Sequence, residues 1–350
     1  MVGPVSESEA AGPGTPGEVL PRFRRPEGWT GPWVIAHRGD SFHAPENTLE
    51  AARLGWEAGA SAWEFDVRLT RDDVPVVVHD DSLPRTTDVA RRFAGDPRAA
   101  TRFLVADFDW SEIQSLDAGG WFLEPGAGPN PGHPARTAAG FGSIARLDPG
   151  QRAWYASGRV RVPTLAEALA LTVELDWAAN IELKSSFGGE PALVEAVLAE
   201  VDRAGAADRV WISSFDHADV ARVGRLHPGL ATGVLTATPL YRPARYVREG
   251  VGAAAYHPAA HALGSESAGY RRRPSAAMLR AGDLDDLRAA GVPVYVYTVN
   301  DARPGGLAEH LAEAGVSGLY SDDPGSLGAL WDRPRRRPPS QGRSAGGPVP

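Results

Sequence analysis

Eight short runs of β-branched and apolar residues recur along the chain, most of them separated by one segment of helical spacing. That alternation restricts the fold to a parallel α/β architecture. The predicted strands are Trp33 to His37, Ala62 to Asp66, Ala179 to Leu183, Arg209 to Ser213, Leu230 to Leu235, Gly252 to Tyr256, Val294 to Thr298 and Gly318 to Ser321. Helices are expected between them at Asn47 to Ala58, Pro191 to Ala204, Ala218 to Leu226 and Leu284 to Ala290. The Gly55 to Gly59 stretch, Gly205, Gly291 and Gly315 stand where helices stop. Eight such units in 350 residues predict a (β/α)8 TIM barrel, a fold that gathers its functional groups at the C-terminal ends of its strands.

The gap between the second and third strands breaks the pattern. A further strand-like run, Val74 to His79, follows Val67 too closely for a parallel crossover, so it is expected to fold back antiparallel through Thr70 to Asp73. With the turn centred near Arg71 and Asp72, His79 returns to the level of Glu64 and Asp66. A helix is expected around Trp110 to Leu116. The Gly/Pro-rich stretch from about 118 to 162 has little periodicity and reads as a small cap inserted over the barrel mouth. Residues 1–32 read as a disordered leader and 332–350 as a disordered Arg/Pro-rich tail, leaving 33–331 for the barrel.

Composition narrows the chemistry. A net charge of −8 argues against a broad nucleic-acid footprint. No cysteine is present, so any metal binds through oxygen or imidazole. The N-terminus lacks a signal-peptide pattern and no apolar run is long enough to span a bilayer, so a soluble, cytoplasmic protein without stable membrane insertion is expected.

Glu64 and Asp66 are two apart on one strand, so their carboxylates share a face, and Glu182 occupies the matching end of the next barrel strand. Singly, each acid reads most simply as the partner of an arginine; converging, they need a cation, and hard oxygen ligands select Mg²⁺ or Ca²⁺. His37 and His79 flank the acidic pair, and imidazole suits both proton transfers of phosphodiester hydrolysis near neutral pH. Arg38 offers a planar donor fork for phosphate oxygens. Lys184 is the only lysine in a chain whose other cations are all arginine, which marks its position as one that requires a compact ammonium.

At these positions the chain resembles the glycerophosphodiester phosphodiesterase family. The resemblance is carried by His37-Arg38-Gly39, Pro45-Glu46-Asn47-Thr48, Gly59-Ala60, Glu64-Phe65-Asp66-Val67, Thr70-x-Asp72, Val76-Val77-Val78-His79-Asp80 and Leu83-x-Arg85-Thr86-Thr87. It continues through Pro163-Thr164-Leu165-x-Glu167-Ala168, Ile181-Glu182-Leu183-Lys184, Ser213-Ser214-Phe215, Thr298-Val299-Asn300, Gly315-Val316-x-Gly318 and Asp322-Asp323-Pro324.

The resemblance implies one divalent cation on Glu64, Asp66 and Glu182, with His37 and His79 as the acid/base pair. Arg38 and Lys184 would hold the phosphate of a small glycerophosphodiester, with Glu46 in support. The products would be sn-glycerol 3-phosphate and an alcohol. Two positions depart from the family pattern: Asp73 replaces the usual turn glycine, and Tyr297 stands where tryptophan is common. Two other activities compete with this reading. One is a lysophospholipase D-like or phospholipase C-like activity on lysophospholipids, which needs an apolar mouth built from residues such as Phe103, Phe108, Trp110, Trp121, Phe122 and Trp154, residues that equally suit the cap's own core. The other is non-catalytic binding of glycerophosphate.

Overall fold

The computed structural model describes residue 20 and residues 31–124, 147–186, 188–260 and 281–331. The expected tail, nearly all of the expected leader and the middle of the predicted cap lie outside these residues.

The barrel strands are β1 (Trp33–His37), β2 (Ala62–Leu69), β4 (Ala178–Leu183), β5 (Val210–Ser214), β6 (Ala231–Thr236), β7 (Ala255–Pro258), β8 (Tyr295–Val296) and β9 (Gly318–Ser321). They pair in parallel in the order β7-β6-β5-β4-β2-β1-β9-β8. Parallel bridges from Tyr256 to Val294 and from Ala259 to Tyr297 bring the two edges together, so the TIM barrel is nearly closed. The short strand β3 (Pro75–Val77) lies off this path, antiparallel to β2.

Local sequence explains the helices that follow the strands. Thr48 caps helix Leu49–Glu57 through the amide of Ala51, Thr164 and Glu167 form a capping box on helix Leu165–Glu174, and Asp216 caps helix His217–Leu226. The apolar faces of these helices and of Pro191–Arg203 bury Leu165, Leu169, Val194 and Val197 against the outward residues Phe65, Val67 and Ile181 of the sheet. Inside the barrel, Trp33, Ile35, Trp211, Tyr295 and Tyr320 fill the lower layers. Above Ile35 and Tyr320 the inward residues become polar, and the site begins there.

Two strands differ from expectation. β7 starts at Ala255 rather than Gly252, because Gly252 (φ +77°) and Ala253 close the helical segment Tyr246–Val251 through a bond from the Ala253 amide to Val247. β8 keeps only two ladder residues: Val294 before it bonds Ser317 and Gly318 at the start of β9, and Tyr297 after it bonds Pro258 and Ala260 on the β7 side.

Between β3 and β4 the chain builds a lobe with a core of its own. Leu83, Val89, Phe103, Phe108, Ile113, Leu116, Trp121 and Phe122 pack with Leu147, Tyr155, Val160 and Val162, and with Val76 and Val78 of the hairpin. Packing against the barrel therefore begins near Leu83, well before residue 118.

Candidate active site

Glu64 and Asp66 leave β2 on the barrel's inner face and meet Glu182, which pairs with Asp66 in the β2–β4 ladder. One carboxylate oxygen from each lies within 4.8 Å of the others, and all three residues are buried. Burial and the neighbouring charge of Asp66 push the Glu64 carboxyl up to about 8. Burial would raise Asp66 as well, but the charges of Lys184, His79 and Arg38 and a 2.7 Å hydrogen bond from Asn47 hold it well below the carboxylate range. Glu64 Oε1 is buried with no hydrogen-bond partner among the described residues. Three convergent carboxylates, with a buried orphaned oxygen on Glu64, are a donor set that could bind a hard divalent cation.

Lys184, two residues beyond Glu182, pairs with it and stands 3.0 Å from Asp66 Oδ1. The ammonium of the chain's one lysine is thus inserted between two of the three acids.

His37 and Arg38 end β1 at a turn that admits only glycine next. A Cβ on Gly39 would lie 2.4 Å from the Ala51 carbonyl carbon, and its φ is +81°. Arg38 itself is left-handed (φ 56°), as is Asn47 (φ 58°), strain of the kind that persists where surrounding contacts over-determine a site. Arg38 donates to Glu46 at 2.8 Å, stands 3.3 Å from Asp66, and offers its backbone amide to Glu64 Oε2 at 2.9 Å. His37 Nδ1 meets Asp322 Oδ1 at 2.6 Å, which turns Nε2 toward Glu64, 3.9 Å away. Asp322 is held in turn by Asn300 and Ser41. Burial and Arg38 push the His37 imidazole down, but the carboxylates of Asp322 and Glu64 outweigh them and its pKa is raised.

The hairpin carries His79. Val67 pairs with Val77, and the Val78 amide donates to Asp66, so His79 falls opposite Phe65. The turn uses Asp73 at φ 59°, the left-handed position that aspartate tolerates. His79 Nδ1 meets Asp80 at 2.7 Å; Arg85 binds Asp80 at 2.6 Å and Glu46 at 2.7 and 2.8 Å; Glu46 binds Arg38. One chain of charges therefore runs from His79 to Asp66. Burial first, then Arg38 and Lys184, lower the His79 pKa.

A model of the glycerophosphoryl diester phosphodiesterase family matches residues 37–326. The chain belongs to that family. It is similar to a glycerophosphodiester phosphodiesterase of Caldanaerobacter subterraneus, 31% identical over 84% of this chain and 95% of the relative. It is also similar to the uncharacterized protein YqiK of Bacillus subtilis, 32% identical over 85% and 97%. Among solved structures, an Oleispira antarctica phosphodiesterase in complex with the product sn-glycerol 3-phosphate superposes with a TM-score of 0.62 at 26% identity, covering 85% of this chain and 96% of that one. A second, from Silicibacter pomeroyi, gives 0.65 at 26% identity over 86% and 93%. Membership makes the chain an enzyme of the phosphodiesterase class.

Tyr297, at the family's aromatic position, is half-buried with its ring edge on Phe215. Its hydroxyl donates to the Thr236 carbonyl at 2.9 Å, so the extra polar group is spent on the barrel wall. Of the aromatic residues considered for an apolar mouth, Phe103, Phe108, Trp121 and Phe122 are buried in the lobe's own core. Trp154 is exposed, but its indole bonds Glu50.

Of the site residues expected from sequence, the structure gathers Glu64, Asp66 and Glu182, with Lys184 against Asp66 and Glu182, Arg38 and Glu46 beside them and His37 next to Glu64, while Tyr297 turns its hydroxyl to the barrel wall. Asp322 and Arg85 were visible only as motif residues without a role. No signal in the sequence pointed to Arg68.

Proposed function

We propose that this family member hydrolyses glycerophosphodiesters to sn-glycerol 3-phosphate and an alcohol, using a divalent cation and the two histidines. The observation that carries the reading is the buried Glu64–Asp66–Glu182 cluster with an imidazole pinned on each side of it. The name of the Caldanaerobacter relative and the product bound in the Oleispira structure support the substrate class.

Glu64, Asp66 and Glu182 would hold the cation, which supplies positive charge to phosphate oxygens where negative charge builds. The chain's own groups do the rest. Asp322 and Asp80 each occupy the Nδ1 of a histidine, which leaves each Nε2 to move a proton: one takes it from the attacking hydroxyl, the other delivers it to the leaving alkoxide. Arg38, held in place by Glu46 and Asp66, would turn its guanidinium to the phosphate. Lys184 Nζ adds a compact charge beside them. The buried lobe aromatics favour this reading over a lysophospholipid activity.

The test is release of glycerol 3-phosphate from glycerophosphocholine by purified protein with Mg²⁺ or Ca²⁺. Turnover is expected with added metal and is expected to vanish on chelation. Binding without release would replace hydrolysis by a binding function, full activity in EDTA would make the acidic cluster structural, and a preference for long-chain lysophosphatidylcholine would move the substrate class.

A further inference from the structure

We propose that Arg68 is a positioning residue of this site: its guanidinium ties together the two strand ends that carry His79 and Lys184. The claim that this serves catalysis rests on the hydrolytic reading above, while the claim that it fixes the two segments does not.

Arg68 is the third inward-facing residue after Glu64 and Asp66 on β2, one step further out along the same face. At that level β2 has β3 on one edge, with Arg68 opposite Val76, and β4 on the other, whose ladder ends one residue earlier at Val67 and Leu183. The hairpin side ends with the Val78 amide on Asp66, and the β4 side ends with the Lys184 amide on Val67. The next carbonyls on each side, those of His79 and Lys184, fall beyond the last rungs. Arg68 Nε donates to the His79 carbonyl and Nη1 to the Lys184 carbonyl, both at 2.9 Å. One planar group thus spans β2 and supplies the rungs that the backbone does not.

The consequence is mechanical. His79 reaches the acids from the far end of a hairpin whose named strand has only three residues, and its side chain is a third exposed. Lys184 sits at the first residue after β4. Without Arg68, two strand termini bearing reacting groups lose their last backbone anchor, and both side chains move relative to Asp66. A lysine cannot substitute, because its donors radiate from a single atom and cannot reach two carbonyls on opposite sides of a strand.

The experiment compares Arg68→Lys and Arg68→Ala with the wild type by amide hydrogen exchange and by steady-state hydrolysis of glycerophosphocholine. Exchange is expected to quicken about tenfold in the segments around 78–82 and 183–187, with the rest of the barrel and the melting temperature unchanged. In both variants kcat is expected to fall about 10- to 100-fold, so retained charge gives no rescue. Unchanged exchange at those segments overturns the clamp, as does a loosening spread over the whole barrel. Local loosening with kcat within twofold of wild type overturns its catalytic purpose. If the wild type itself releases no glycerol 3-phosphate, the hydrolytic reading fails, and the exchange data still decide the clamp.

Discussion

His37 and Asp322 are 285 positions apart, yet their 2.6 Å contact decides which imidazole nitrogen faces the acids. A carboxylate on Nδ1 fixes the ring's tautomer and orientation, whereas an amide there can offer a donor instead and favour the wrong one. Asp322→Asn is therefore expected to lower kcat about a hundredfold or more with little change in melting temperature. Steady-state kinetics and a thermal melt check it, and a wild-type rate would remove Asp322 from the mechanism. At this scale the sequence was informative about residue type and silent about partners. Glu64, Asp66 and Lys184 could be read from strand spacing and from a single lysine among arginines. The hold of Asp322 on His37, or of Arg85 on both Asp80 and Glu46, arises from closure of the barrel and the folding back of the lobe, and neither leaves a spacing signature.

The hairpin is the element whose geometry was most legible, because its turn residues fix its register. Thr70 accepts the Val74 amide at 2.9 Å and donates to Asp72 at 2.6 Å, which sets the turn and with it the placement of His79. Asp73 occupies a conformation that glycine adopts without cost. Asp73→Gly is expected to raise stability by about 0.5 kcal/mol and to leave kcat unchanged, as read from a denaturant midpoint and a rate assay. A loss of activity would show that the turn transmits strain to His79. Elements whose bonding crosses between neighbours were less legible. The start of β7 depends on a helix that closes late, and the two-residue β8 depends on both flanking strands. The start of the lobe's packing at Leu83 was less legible, because Leu83, Phe103 and Phe108 lie in short turns without helical or strand periodicity.

Across the whole molecule, the barrel interior is graded from an apolar floor to a charged mouth, with a neutral polar belt between. In that belt Tyr320 donates to Asn180 at 2.8 Å, and its oxygen lies 3.1 Å from His257 Nδ1. His257 is fully buried, its ring packed against Gly233, where a Cβ would come within 2.4 Å of Nε2. Burial depresses its pKa to about 3. The unfolded chain takes up this proton as pH falls through about 6.5, and the folded protein resists until about 3, so this group's contribution is full above pH 6.5 and is lost toward pH 3. The loss is expected to be of the order of a few kcal/mol. His257→Gln should melt with a flatter dependence on pH between 7 and 4 than the wild type, and parallel curves would show that His257 is protonated in the fold. The hairpin carries a different consequence at this scale. The ladder that sets the distance from His79 to Asp66 closes at Val78, and the salt-bridged stretch ends at Arg85, before most of the lobe is built. The hairpin nevertheless sinks Val76 and Val78 into the lobe's core and donates the Arg71 amide to the Phe108 carbonyl, so the lobe is the outer brace of the arm that presents His79, and a change deep in that core reaches the reacting groups through it.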